Sequence, residues 1–116
     1  MCRCESSVAR VIRHVVMWSV RGEDTASRSS NAALVKREFE SLRGQVPGMV
    51  ALEVGVDESR VDYACEVVLI ADFDSRDALL GYATHPAHLA VRGRLGDLRS
   101  ARHQVDFERP GTLPGT

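Results

Sequence analysis

A chain of 116 residues is sized for one domain with a core of its own. Fifteen basic against sixteen acidic residues leave a net charge of -1, which provides no basic excess for nucleic-acid phosphates or for a membrane surface. Hydrophobic residues make up 44% and charged residues 27%, and the longest apolar runs, Val15–Trp18 and Val67–Ala71, fall far short of the ~20 residues that span a bilayer.

Residues 1–10 read as an N-terminal extension. They contain no apolar stretch followed by a small-residue cleavage site, so a leader peptide is not expected. Cys2, Cys4 and Cys65 make an odd count without framework spacing, which points to free thiols in a reducing cytoplasm rather than to disulfides. Val11 to Val20 is rich in β-branched and aromatic residues, and it alternates. Ile12, His14, Val16, Trp18 and Val20 stand against Arg13, Val15, Met17 and Ser19, as in a strand that uses both faces. A polar loop follows, and Ser29, Ser30 or Asn31 is placed to cap a helix. Val35, Phe39, Leu42 and Val46 recur at helical spacing until Pro47-Gly48 stops the run.

Met49–Val56 predicts a second strand, with Val50, Leu52, Val54 and Val56 on one face. Asp57–Asp62 is a polar link. Ala64–Phe73 predicts a third strand, apolar enough to be central and buried on both faces. Asp74 or Ser75 caps a short helix to about Ala83, and Pro86 opens another, where its missing N–H is harmless. His88, Val91, Leu95 and Leu98 share one face of that helix. Arg102–Glu108 predicts the last strand, with His103, Val105 and Phe107 alternating against Gln104 and Asp106. Residues 109–116 read as a loose tail.

The order β-α-β-β-α-β is that of a split βαβ, or ferredoxin-like, α+β fold: a four-stranded antiparallel sheet with helices on one face. The other face is too apolar to be left wet, so a homodimer is expected, in which two sheets close on each other as a dimeric α+β barrel.

The chemistry-bearing residues cluster in Tyr82–His88. A neutral imidazole has the right pKa for a general base, and a tyrosine hydroxyl can donate to a developing oxyanion. His88 on an apolar stripe and Tyr82 at a helix end can also be plain packing residues. His85 precedes a proline and serves the turn first. His85 and His88 lack a third partner at fixed spacing, so no metal is expected. There is no glycine-rich phosphate loop, no Ser-His-Asp signature and no thiolate setting for Cys65.

Ile12–Trp18 (IRHVVMW), Val46–Met49 (VPGM), Leu52–Gly55 (LEVG) and Tyr82 with His85–His88 (HPAH) together resemble the stress-responsive A/B barrel domain (Dabb) family over residues 11–108. The resemblance implies a dimeric α+β barrel and no cofactor. The family includes stress proteins and a plant polyketide cyclase that closes olivetolic acid by a cofactor-free aldol reaction. By that likeness His88 is the base, Tyr82 assists it, and His14 lines the pocket. Trp18 and His85 join His14 as substrate-binding candidates, for a small hydrophobic or polyketide-like ligand. The sequence departs from the cyclase at Tyr63–Glu66, where a histidine-bearing stretch is replaced, and at Arg92–Gly96. Three expectations stand: a polyketide cyclase-like enzyme acting by ring closure or isomerisation, a non-catalytic barrel with a stress or ligand-binding role, or a cofactor-free monooxygenase. If the face of His14 and Trp18 points between two sheets, His14 lines the barrel cavity; if it points the other way, it packs under a helix. The resemblance favours the cavity.

Overall fold

The computed structural model describes residues 10–111. Cys2, Cys4 and the rest of the extension up to residue 9 lie outside them, as does the tail from residue 112. The elements are β1 (Arg10–Val20), α1 (Thr25–Glu40), β2 (Met49–Val56), β3 (Val67–Phe73), α2 (Arg76–Thr84), α3 (Pro86–Leu95) and β4 (Arg99–Pro110). The strands form one antiparallel sheet in the order β2-β3-β1-β4. This is the expected ferredoxin-like fold, with the second helical segment split in two. No helix among the described residues is long and apolar enough to cross a membrane.

The alternation in β1 decides which side is the core. Ile12, Val16, Trp18 and Val20 are buried with Leu69, Ala71 and Phe73 of β3 and with Leu52 and Val54 of β2. Ala32, Val35 and Phe39 of α1 and Val91 and Leu95 of α3 close this side. Each buried side chain of this size contributes roughly 1.5–3 kcal/mol. The opposite face carries Val15 and Met17 beside Val68 and Ile70 on one flank and Val105 and His103 on the other. Val105 remains 61% and Phe107 45% exposed. The third strand is therefore central, with its apolar residues fully buried on the helix side only; on the other face Val68 and Ile70 are half-buried, and Asp72 is buried against Arg13.

Several boundaries differ from those read in the sequence. α1 begins at Thr25 because the Asp24 side chain accepts a hydrogen bond from Ser27 N, 2.8 Å. It stops at Glu40, with Ser41 as its C-cap. Gly44 (φ +82°) then turns the chain, while Leu42 and Val46 stay buried. Val50 sits at an irregularity between Met49 and Ala51 and is 58% exposed, so it does not join Leu52 and Val54. β3 starts at Val67, since the preceding chain is tied off by hydrogen bonds from Glu66 N to Trp18 O and from Asp57 N to Glu66 O. β4 starts three residues earlier than expected and runs to Pro110.

The α2–α3 break explains itself locally. His85 precedes Pro86 and adopts ψ 137°, outside the helical region, as a residue before proline prefers. Ser75 caps α2 by accepting from Ala78 N. His85 caps both helices at their junction: its N–H bonds Tyr82 O, and its Nδ1 accepts from Ala87 N at 3.0 Å.

Candidate active site

Four histidine or tyrosine candidates were read from the sequence, and the fold brings three together. His14 of β1, Tyr82 of α2 and His88 of α3 line a cavity of about 500 Å³ between the helices and the β1–β4 side of the sheet. Trp18 lines it as well, whereas His85 is not part of the lining and is spent on capping α3. A volume of this size suits a small ligand. His14 thus faces the helices and not the space between two sheets. The cavity it lines is formed within one protomer because the helices leave a gap beside β4, whose residues stay exposed.

The Tyr82 and His88 rings lie 4.3 Å apart, centroid to centroid, and the His14 and Tyr82 rings 5.9 Å apart. Phe73 and Phe39 wedge the group from below. His88 Nδ1 lies 3.1 Å from Ala83 O. A carbonyl oxygen only accepts, so Nδ1 carries the proton, and Nε2 is the free lone pair of the neutral ring. Burial holds the His88 pKa below the usual 6.5; the bond to Ala83 opposes this, and the positive charges of Arg92 and Arg99 add to it. Burial also pushes Tyr82 up to about 12, so its hydroxyl stays protonated at neutral pH.

His14 is tethered in the same way. Its Nδ1 lies 2.6 Å from Asp106 Oδ1, and Gln104 Nε2 donates to Asp106 Oδ2 at 2.9 Å. His14 and Asp106 are register partners across β1 and β4, so both project to the helix side. The carboxylate fixes the ring and directs Nε2 as the free position, the same orienting role an acid plays behind a catalytic histidine. Among the described residues no three metal-ligating side chains gather here or elsewhere. His85 and His88 each spend Nδ1 on a different backbone group.

Sequence reasoning missed Asp106, Arg92, Arg99 and Arg102, all of which line the cavity or bond into it. The i, i+4 spacing of His88 and Arg92 on a helix was the one signal available for Arg92. Alternation places Asp106 on one strand face with Gln104, but only the β1–β4 register puts it opposite His14.

The model of the stress responsive A/B barrel domain matches residues 12–109. No curated protein sequence matches the chain. Among solved structures, a dimeric protein of unknown function with a ferredoxin-like fold from Bacteroides fragilis superposes with a TM-score of 0.75 at 25% identity, covering 85% of this chain and 96% of that one. A dimeric ferredoxin-like protein of unknown function from Thermobifida fusca gives 0.71 at 21%, covering 85% and 91%. A hydroxynitrile lyase from Passiflora edulis gives 0.68 at 16%, covering 91% and 99%. The match over residues 12–109, together with the sheet and helix order described above, places this chain in the stress responsive A/B barrel domain family.

Proposed function

We propose that the cavity is the active site of a cofactor-independent acid–base enzyme, a polyketide cyclase-like catalyst acting on an enolisable carbonyl compound. The observation that carries this reading is the pairing of Tyr82 and His88, 4.3 Å apart and of opposite proton roles. His88 Nε2 takes the α-proton; the C–H electrons move into the carbonyl, and the Tyr82 hydroxyl donates to the enolate oxygen. The enolate carbon then either attacks a second carbonyl, closing a ring, or is reprotonated elsewhere, completing an isomerisation. In both outcomes the proton held on His88 is returned to product. His14, oriented by Asp106, stands on the opposite wall as a second proton carrier.

The chain would work as a homodimer, its open sheet face of Val15, Met17, Val105 and Phe107 packed on a second copy, as the dimeric relatives suggest. A cytoplasmic setting suits the free thiol of Cys65. The test is deuterium incorporation from solvent at the benzylic carbon of phenylpyruvate, followed by proton NMR. Exchange is expected with the wild-type protein and is expected to fall by about 100-fold or more in His88→Ala, with an unchanged circular dichroism spectrum. A fully active His88→Ala protein would overturn the reading. Loss of melting temperature without any exchange in the wild type would favour a non-catalytic ligand-binding barrel.

A further inference from the structure

We propose that the cavity selects an organic anion, and that Arg92, Arg99 and Arg102 form the clamp that holds its carboxylate or phosphate head. The proposal names the substrate class of the site described above and rests on that placement of the site.

The three arginines line one side of the cavity, and none pairs with a carboxylate among the described residues. Elsewhere in the chain Arg13 is bound to Asp72 and Arg94 to Glu38. The one carboxylate at the cavity edge, Asp106, is already engaged by His14 and Gln104. Arg99 is half-buried, and its Nε has no hydrogen-bond partner. Its guanidinium carbon sits 5.2 Å from the centroid of the Trp18 ring and 5.3 Å from that of Phe39, so the aromatic pair holds it in place. Trp18 Nε1 is likewise buried without a partner, in a residue only 3% exposed that lines the same cavity. An orphaned buried donor costs free energy unless a ligand satisfies it.

The backbone is shaped to assemble this cluster. In a regular strand, residues three apart face opposite sides. Between Ser19 and Val20 the β1–β4 register shifts, so that Trp18 pairs with Arg102 but Val20 pairs with Arg99. The bulge reverses the parity and turns Arg99 to the same side as Arg102. Arg92 arrives from α3, one turn beyond His88. Burial first, then the like charges, act on the site: burial with Arg92 and Arg102 opposes the charge on Arg99, and burial with Arg92 and Arg99 opposes protonation of His88. An anionic head beside them relieves that repulsion and leaves the ligand body against Trp18, Val16 and Ala83, below Tyr82 and His88.

The test uses the full-length protein and two ligands of nearly identical shape, hydrocinnamate and its neutral amide, with inorganic phosphate as a third. Trp18 is the sole tryptophan, so its single indole N–H resonance reports occupancy of this cavity. Hydrocinnamate is expected to shift that resonance and to bind about tenfold or more tightly than the amide, in a salt-dependent manner. Arg99→Gln is expected to bring the two ligands within about twofold. If Arg99→Gln does not fold, the doubly substituted Arg92→Gln, Arg102→Gln protein, altered only at exposed positions, carries the same expectation. Phosphate that displaces hydrocinnamate identifies the shared oxyanion head as the recognised element; phosphate without effect assigns the clamp to carboxylates. Equal binding of acid and amide, or an unchanged preference in both variants, would overturn the proposal. Anion preference is read from binding alone and turnover from exchange alone, so a failed catalytic reading leaves this one standing and the converse.

Discussion

His88 is fixed by one hydrogen bond, from its Nδ1 to Ala83 O, and depressed in pKa chiefly by burial. Both facts point to a neutral ring with Nε2 free at neutral pH. They also set a stability signature. The unfolded chain protonates this histidine near 6.5, the folded chain only at lower pH, so between the two values the unfolded state binds more protons. Stability from this group is present in full above the unfolded pKa and is lost as pH falls through the window below it. Urea midpoints between about pH 5 and pH 7 should therefore slope upward with pH, and His88→Ala should flatten the slope. Tyr82→Phe keeps the ring against His88 and removes the hydroxyl alone. It is expected to lower turnover by about 100-fold while leaving the melting temperature within a few degrees.

At the scale of elements, caps and turns decide where the site residues stand. Asp24→Ala removes the N-cap of α1 and is expected to cost about 1 kcal/mol in thermal or urea denaturation. Gly48 has φ +81°, and a Cβ there would meet the Ala78 side chain and stand 2.9 Å from Asp74 Oδ1. Its carbonyl also accepts from Asp74 N, which ties the start of β2 to the entry of α2. Gly48→Ala should destabilise by roughly 1–3 kcal/mol in the same assay. The period-two and helical patterns were enough to read four strands, the split at Pro86 and a cap at Asp74 or Ser75, of which the structure uses Ser75. They misplaced α1 at both ends, because serine-rich polar positions on an exposed helix face look like loop and because Leu42 and Val46 keep helical spacing while the chain turns at Gly44. The bulge that re-aims Arg99 carries no local sequence mark, since it arises from pairing between strands about eighty residues apart. The convergence of Arg92, Arg99 and Arg102 on the cavity was therefore illegible, whereas the spacing of Tyr82 and His88 marked both as candidates.

For the whole molecule, the two faces of the sheet divide the labour. One face is covered by the helices and opens beside β4 into the cavity; the other carries Val15, Met17, Val105 and Phe107, the face proposed to pack on a second copy. His14 shows why the fold had to be seen. Its strand parity was correct in the sequence, but parity alone does not tell which face the helices cover, and the cavity proved to lie within one protomer. Phe107→Asp places a charge on the β4 edge of the expected dimer face. It should shift sedimentation from dimer to monomer at micromolar concentration, while the anion preference of the cavity persists.

Acid–base chemistry by His88 and Tyr82 is tested most directly by the pH dependence of deuterium exchange into phenylpyruvate by the wild-type protein, corrected for the uncatalysed rate. The catalysed rate should be level through neutral pH, fall only below about 6.5 as His88 gains its proton, and show no alkaline loss from Tyr82 until about 12. A catalysed rate that is indifferent to pH on the acid side, or that His88→Ala reproduces, would contradict it.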